Sequence, residues 1–258
     1  MPLDLNPHLV KKTRNLTNVR NQFRVRLGPL TTKIRSTHRL IKPAKIYSPI
    51  CQIEISNQLD STSTRFLTDG FDFIENFFGD NTLNALVDSW PPRRYFSPIP
   101  SLAASYFSGF QYSDEQVPDF EENLFPQTAE LFRFLHSAQF CAKISNFCGD
   151  GFLRQPNTGG LSWANGRSIL LPHVDEVRET GEPSWINIIF FLKTSGFGRN
   201  RGATGLYKEN NYDLPLFIPS TTENSALVYD ATRHFHGFPY MSRFATRWSF
   251  TQQYVRKE

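Results

Sequence analysis

Two residues with metal-binding side chains, His173 and Asp175, stand two positions apart in the segment LLPHVDE, residues 170–176. On a β-strand, residues i and i+2 point to the same face and lie about 6.5 Å apart at Cα. Two side chains placed in this way can converge on one metal ion. The H-x-D pair alone occurs by chance in many chains, so the hypothesis requires a third ligand from elsewhere.

A second segment, SALVYDATRHFHGF (225–238), runs from an apolar strand into a polar turn and carries His234 and His236. A histidine from this segment would complete a set of two imidazoles and one carboxylate. That set leaves three coordination positions open, which suits iron(II) that must bind a co-substrate and dioxygen together. Zinc usually takes four ligands in a closed or nearly closed shell.

A third segment, TRWSFTQQYV (246–255), places Arg247 and Ser249 on one face of a predicted strand. An arginine inside a small barrel requires a partner, because an unpaired buried charge is costly. A dicarboxylate ligand would supply that partner, since a guanidinium matches a carboxylate in a two-bonded fork and the Ser249 hydroxyl adds a further hydrogen bond.

Together these segments resemble the 2-oxoglutarate and Fe(II)-dependent oxygenase superfamily. The superfamily's pattern is H-x-D, then a distal His, then an Arg about ten residues later on the last core strand. Here it corresponds to His173-Val-Asp175, His236 and Arg247, and the R-x-S form made with Ser249 matches one branch of the family. The layout is most similar to the prolyl-hydroxylase-like group, in which helices precede the barrel.

The resemblance covers residues 66–255 and implies an α+β, mainly β fold: a double-stranded β-helix, or jelly-roll/cupin-like barrel, supported by N-terminal helices. We therefore expect a basic N-terminal extension at 1–50 and an oxygenase domain at 51–258. Within that domain we expect helical support at 66–148 and the jelly-roll core at 150–255.

The resemblance also implies the cofactors and the catalytic residues. Iron(II) would be bound by His173, Asp175 and His236, and the far carboxylate of 2-oxoglutarate by Arg247 and Ser249. Dioxygen would be the second co-substrate, with ascorbate as a supporting reductant. The expected reaction hydroxylates a C–H bond of a peptide or protein side chain, or of a small metabolite, and releases succinate and carbon dioxide.

Four further residues leave alternatives open. His236 is preferred as the ligand because Gly-Phe follows it and it stands eleven residues before Arg247; His234 either supports the site or is an exposed loop residue. In related enzymes a polar residue at the position of Asn187 touches 2-oxoglutarate, whereas the alternative is a hydrogen bond to a neighbouring backbone. Tyr207 is a weaker candidate for the co-substrate site. Arg243 competes with Arg247 and is expected to meet substrate or solvent.

The periodicity predicts a first strand, two long helices and then a series of short strands. The helix at 66–90 is interrupted at Gly79-Asp80, with Asp80 as the N-cap of its second part, and another helix follows at 128–148. Loops at 93–127, 154–167 and 196–202 are expected to bind substrate. The predicted strands are 51–56, 168–174, 185–194, 203–208, 214–218, 225–229 and 244–255.

The charge is divided unevenly along the chain. Residues 1–50 carry eleven Lys or Arg and one acid, whereas the rest of the chain has a net negative charge. The basic arm either contacts an anionic surface or packs against its own acidic body. The three cysteines, Cys51, Cys141 and Cys148, are widely spaced, which indicates free thiols in a reducing compartment. With no secretory signal or apolar span recognised, the expected location is cytoplasmic.

Two other classes of protein compete with the oxygenase. A cupin-type metal protein would use His234 and His236 together, but it predicts a Glu a few residues later and none occurs before Glu258. A catalytically silent binding domain would use the basic arm and turn over no 2-oxoglutarate. The resemblance argues against a nucleic-acid substrate, because demethylases of the superfamily carry a second Arg where this chain has Gln253.

Overall fold

The structure is a computed structural model that describes residues 52–93, 96–98, 109–113, 125–149, 154–166, 168–175, 185–196 and 201–256. The expected basic extension, 1–50, lies outside these residues. Cys51 and most of the substrate loops expected at 93–127 and 196–202 lie outside them too.

The described part of the chain is mainly β and forms two antiparallel sheets. The strands are β1 (Phe71–Glu75), β2 (Ser97–Pro98), β3 (Gly109–Ser113), β4 (Arg154–Asn165), β5 (Leu170–His173), β6 (Trp185–Ser195), β7 (Gly205–Tyr207), β8 (Pro215–Phe217), β9 (Ser225–Asp230), β10 (Phe235–Phe238) and β11 (Thr246–Arg256). The larger sheet has the order β1-β9-β6-β11-β4-β3-β2, and the smaller has the order β5-β10-β7-β8.

The helices pack on one face of the larger sheet and have recognisable end signals. They are α1 (Thr64–Asp69), α2 (Asp80–Asp88), α3 (Pro126–Leu135) and α4 (Ala138–Phe147), with a short 3-10 helix at Asn57–Asp60. The Ser63 hydroxyl caps α1 by accepting from Phe66 N, and Gly70 ends it in the left-handed conformation. Ser137 caps α4 in the same way through Phe140 N.

Alternation along the central strands divides the core between two faces of the larger sheet. Even-numbered residues of β6 and β11, such as Phe190, Phe250 and Tyr254, join the helices in the main apolar cluster. Odd-numbered residues, such as Ile189 and Phe191, face a second cluster shared with Leu206 of the smaller sheet. The second face is where the polar candidates of β6, β9 and β11 also lie.

The prediction of a helix across 66–90 is wrong between Phe71 and Glu75, although Phe66–Asp69 belong to α1. Residues Phe71–Glu75 form β1, which pairs with β9 at the edge of the larger sheet. The spacing of Phe73 and Phe77 fits a helical period, but pairing with β9 outweighs that local signal. The second half is helical, although Gly79 is the N-cap and Asp80 is the first residue of α2. The region 66–148 therefore mixes helices with strands.

Two other expectations also required correction. Residues 154–165 were expected to be a loop, yet they form β4, a central strand paired with both β3 and β11. The predicted first strand at 51–56 is reduced to a single bridge between Ile55 and Phe78. Strands β5 to β9 and β11 agree with their predicted positions to within a few residues, whereas β10 lies outside the predicted strands. The helix predicted at 128–148 is split at the Ser137 cap.

None of the helices in the described residues is long and apolar enough to cross a membrane. Cys141 and Cys148 are buried free thiols, and burial raises the pKa of the Cys141 thiol.

Candidate active site

The two candidate histidine ligands lie opposite each other on neighbouring strands. His173 ends β5, and the antiparallel register pairs it directly with His236 of β10. Their ring centroids are 4.3 Å apart. Because directly opposed residues on paired strands project to the same side of the sheet, both imidazoles can reach one ion.

Asp175 completes the cluster from just beyond the end of β5. The H-x-D spacing predicts Asp175 on the same strand as His173, but β5 ends at His173. Its backbone N–H donates to Ala231 O at 3.0 Å, and this bond holds the turn against the end of β9. Its Oδ1 lies 3.9 Å from His173 Nε2 and 3.8 Å from His236 Nε2. The ligand atoms of all three residues are within 4.8 Å of one another, a geometry that could hold a metal ion.

Hydrogen bonds orient both imidazoles toward the shared point. His173 Nδ1 lies 2.9 Å from Leu171 O, and His236 Nδ1 lies 3.3 Å from His234 O. Since a carbonyl only accepts, each Nδ1 carries the proton and each Nε2 presents a lone pair, as metal binding requires. Burial lowers the pKa of His236 to about 4, so this ring is neutral at physiological pH.

Arg247 occupies a second polar position, buried on the inner face of β11. Its Nη1 donates to Gly202 O and, at 3.1 Å, to Thr204 Oγ1. The guanidinium carbon lies 4.5 Å from the ring centroid of Phe238 and 5.6 Å from that of Phe191. Its Nε is buried without a hydrogen-bond partner, and no ion pair joins it to an acid in the described part of the chain. Burial lowers the pKa of Arg247 to about 9.

The donor set and the unpaired polar atoms fit iron(II) and 2-oxoglutarate. Ser249 lies two residues beyond Arg247, is 1% exposed, and its Oγ is buried without a partner. A buried guanidinium without an ion pair, beside a buried hydroxyl without a hydrogen-bond partner, is costly unless an anion joins them. Two imidazoles and a carboxylate with open positions form the ligand type of non-haem iron(II) oxygenases.

Comparison with known proteins finds the same architecture in solved structures, although no family model and no curated protein matches the chain. A prolyl 4-hydroxylase structure from Phytophthora capsici has a TM-score of 0.58 at 15% identity, covering 83% of this chain and 70% of that one. A Trichoplax adhaerens prolyl hydroxylase in complex with a hypoxia inducible factor peptide has a TM-score of 0.57 at 14% identity, covering 78% and 90%.

A third structure is the non-haem, alpha-ketoglutarate-dependent epimerase SnoN from nogalamycin biosynthesis. It has a TM-score of 0.56 at 11% identity and covers 77% of this chain and 82% of that one. The chain has the fold of the 2-oxoglutarate-dependent oxygenases. At these identities the likeness concerns the fold, and it confirms the predicted likeness to prolyl hydroxylases at that level.

Within this oxygenase fold, the second oxygen of Asp175 is held by two amides. Asn187 Nδ2 donates to Asp175 Oδ2 at 2.7 Å, and Gln253 Nε2 lies 3.5 Å from the same atom. Asn187 Nδ2 also lies 3.3 Å from the hydroxyl of Tyr229, whose ring centroid is 4.9 Å from that of His236. The predicted contact of Asn187 with 2-oxoglutarate stays a prediction, and its Oδ1 is buried without a partner.

Sequence reasoning missed Gln253, Tyr229 and Thr204 as neighbours of the site. Gln253 shares the strand parity of Arg247, and this parity is the signal in the sequence that places both on one face. Tyr229 lies opposite Asn187 in the β9–β6 register, which the sequence does not reveal. Burial and the nearby Asp175 carboxylate raise the pKa of Tyr229, so its hydroxyl stays protonated.

His234 lies outside the ligand cluster. Its Nε2 is 2.8 Å from Asp69 O, and its ring meets Phe71 edge-on at 5.7 Å. It is 6% exposed, so the exposed-loop alternative is wrong; it supports the site through its carbonyl, which accepts from His236. Burial lowers the pKa of His234. Only one histidine of the H-x-H pair contributes to the cluster, which weighs against the cupin alternative.

The remaining candidates occupy contrasting environments. Tyr207 is buried on β7, with its ring edge-on to Tyr212 at 5.4 Å, and burial raises the pKa of its hydroxyl. Arg243 is exposed and lies over the ring of Phe244 at 5.4 Å. The structure thus distinguishes a buried Arg247 from a solvent-facing Arg243, as the sequence predicted.

Proposed function

We propose that this protein is an Fe(II)- and 2-oxoglutarate-dependent dioxygenase whose two sheets form the double-stranded β-helix of that fold. The observation that carries the proposal is the cluster of His173, Asp175 and His236, with both Nε2 atoms and one carboxylate oxygen directed at a common point. When bound, iron(II) and 2-oxoglutarate supply the oxidising chemistry, in which dioxygen is consumed, 2-oxoglutarate becomes succinate and carbon dioxide, and a C–H bond is hydroxylated.

The protein's own residues bind and orient the reactants. Arg247 and Ser249 bind the far carboxylate of 2-oxoglutarate, and Phe191 and Phe238 exclude water around the guanidinium, which strengthens the ion pair. Tyr207 is proposed as a further contact of the co-substrate. Because the Arg247 guanidinium is held by neutral acceptors, an incoming carboxylate meets no competing acid.

The proposed prime substrate is a peptide or protein side chain, or a small metabolite, hydroxylated at a C–H bond. Proteins with this fold include a prolyl hydroxylase in complex with a peptide and an epimerase of nogalamycin biosynthesis, which supports both substrate sizes. A nucleic-acid substrate is not proposed, because the position that carries a second Arg in the superfamily's demethylases is Gln253 here, and its amide lies 3.5 Å from Asp175 Oδ2.

Succinate formation tests this function without knowledge of the prime substrate, because such enzymes turn over 2-oxoglutarate slowly when uncoupled. Purified protein would be incubated with Fe(II), ascorbate and 2-oxoglutarate. Asp175→Ala and His236→Ala are each expected to lower succinate formation by about a hundredfold or more, since direct ligands matter at least as much as their hydrogen-bond partners.

Asp88→Ala is the matched control, because Asp88 is an exposed aspartate at the end of α2. It is expected to retain the wild-type rate. Wild-type protein that produces no succinate above the Asp175→Ala background would favour the catalytically silent binding domain instead.

A further inference from the structure

The two carboxylate oxygens of Asp175 have different surroundings. Oδ1 faces the Nε2 atoms of His173 and His236 at 3.9 and 3.8 Å. Oδ2 accepts from the amide of Asn187 at 2.7 Å, and the amide of Gln253 lies 3.5 Å from it. One oxygen is thus directed at the candidate metal position, and the other is engaged by the protein.

The amides reach Asp175 because three strands of the larger sheet are in register at this point. Gln253 of β11 lies opposite Asn187 of β6, and Asn187 lies opposite Tyr229 of β9. These residues form one polar row across the inner face of the sheet. The neighbouring row on β6 and β9, Ile189 and Leu227, is apolar and buried.

The polar row is buried, so its amides require hydrogen-bond partners in place of water. Asn187 is 5% exposed and Gln253 is 8% exposed. An amide taken out of water costs free energy unless it finds a hydrogen-bond partner. Asp175 comes from the end of the other sheet and supplies an acceptor for both amides. The contacts therefore link the two sheets at the candidate metal site.

We propose that Asn187 and Gln253 are positioning residues that restrict Asp175 to one-oxygen coordination of the metal, an inference that rests on the proposed function. A carboxylate can bind a cation through one or both oxygens. Hydrogen bonds to Oδ2 reduce its availability and leave Oδ1 as the ligand. One-oxygen binding keeps a coordination position open that two-oxygen binding would occupy.

The donors are neutral, and this matters for the charge of the site. A lysine or arginine at position 187 or 253 would also hold Oδ2, but its positive charge would offset that of the carboxylate and repel the metal ion. An amide orients the carboxylate and leaves its negative charge in place. Asn187 is itself oriented by Tyr229, whose hydroxyl lies 3.3 Å from the same Nδ2.

The test measures metal binding by the full chain without turnover. Mn(II) would be titrated calorimetrically into metal-free protein, and the visible absorption of bound Co(II) would report its coordination. Asn187→Leu and Gln253→Leu are expected to weaken Mn(II) binding by about 10- to 100-fold, as loss of a partner of a metal ligand typically does. The Co(II) spectrum is expected to change in both variants.

Gln252→Leu is the matched control for Gln253→Leu. Gln252 is the same residue type on the same strand and is also buried, but it contacts His136 on the opposite face. It is expected to leave the Mn(II) affinity and the Co(II) spectrum unchanged even where it lowers the melting temperature. Gln253→Asn shortens the side chain by one methylene and adds no apolar surface, so it keeps the proposal falsifiable if Gln253→Leu does not fold. Its expected loss of affinity lies between those of wild type and Gln253→Leu.

The outcomes separate this proposal from the proposed function. If the wild type binds Mn(II) in a manner that Asp175→Ala abolishes, while the Asn187 and Gln253 variants match the wild type in affinity and spectrum, the positioning role is overturned and the oxygenase stands. If the wild type binds neither Mn(II) nor Co(II), both proposals are overturned.

Discussion

At the scale of single residues, the guanidinium of Arg247 has the least compensated environment in the candidate site. It is 3% exposed and is held by neutral acceptors. Burial lowers its pKa to about 9, so it stays charged at neutral pH. Because this pKa is lower than in the unfolded chain, the charge destabilises the ligand-free fold at neutral pH, and the cost decreases as the pH rises past about 9. A bound carboxylate would offset that cost.

This environment predicts a stabilisation by 2-oxoglutarate that depends on its second carboxylate. With Mn(II) present to prevent turnover, ligand at about 100 times its Kd should stabilise the wild type by about 2.7 kcal/mol and raise Tm by about 5–10 °C. 2-Oxobutyrate chelates the metal in the same way but lacks the far carboxylate, so its effect should be much smaller. The measurement is thermal unfolding followed by fluorescence.

Arg247→Met should abolish the difference between the two keto acids while folding well, because replacing a buried charge with an apolar side chain is often neutral or stabilising. Arg243→Met is the control and should preserve the difference, since Arg243 is exposed. Equal stabilisation of the wild type by both keto acids would contradict the assignment of Arg247.

Sequence motifs predicted the cluster of His173, Asp175 and His236 because the ligand types and their order carry the signal. They did not predict Gln253 or Thr204. Each of these belongs to the candidate site only through a contact with a residue far away in the chain. Gln253 contacts Asp175, and Thr204 contacts Arg247. A lone Gln or Thr on a strand has no local property that marks it.

At the scale of elements, the pairing of β5 with β10 sets the separation of the two histidines. Gly237 follows His236, and a Cβ at this position would lie 2.4 Å from Leu170 O and 2.9 Å from Pro172 N. Both are backbone atoms of the strand that carries His173, so they cannot move aside as a side chain can. The close approach of these strands therefore depends on the absence of a side chain at position 237.

Gly237→Ala should separate β5 from β10 and disturb the ligand geometry. We expect a cost of about 2 kcal/mol, a fall in Tm of about 5 °C, and Mn(II) affinity at least about tenfold weaker. Gly79→Ala is the control away from the site: its Cβ would meet Glu54 Oε2 at 2.6 Å and Glu54 Cβ at 2.9 Å, so it should leave the Mn(II) affinity unchanged even where it lowers Tm. Calorimetric titration and thermal unfolding would measure both effects. Unchanged Mn(II) binding in a folded Gly237→Ala protein would show that the spacing tolerates the methyl group.

The elements that sequence periodicity predicted well are those whose local pattern agrees with their packing. The run at Trp185–Ser195 is apolar on both faces because β6 is central in the larger sheet. β1 was missed because the phenylalanines around it fit a helical spacing as well as a strand. β4 was missed because Gly159 and Gly160 suggest a turn, whereas Gly159 admits the Gln252 side chain close to the backbone.

At the scale of the whole molecule, the candidate site is assembled from both sheets. His173 and His236 come from the smaller sheet, while Arg247, Asn187 and Gln253 come from the larger one. The sequence predicted β5 to β9 and β11 but not which strands pair, since pairing is decided by non-local packing and register. This is why the candidate ligands could be predicted and their hydrogen-bond partners could not.

The positive charge of the molecule is concentrated in residues 1–50, and this uneven distribution predicts how these residues behave at an anionic surface. This arm has a net charge of +10, whereas the whole chain has +4. Each Lys or Arg near an anionic membrane contributes about 1 kcal/mol, an attraction that salt screens within about 10 Å at 0.1 M. The full chain should therefore bind phosphatidylserine vesicles at low salt and release them as salt increases, in a sedimentation assay.

A variant comprising residues 51–258 should not bind these vesicles, and neither protein should bind neutral phosphatidylcholine vesicles. Both should form succinate at the same rate, because the candidate ligands lie outside the arm. The alternative is that the arm packs against the acidic remainder of the chain. In that case the full chain would bind neither vesicle type. Removal of the arm would lower Tm at low salt, because an ion-paired contact within the protein would be lost, but not at high salt, where that contact is screened.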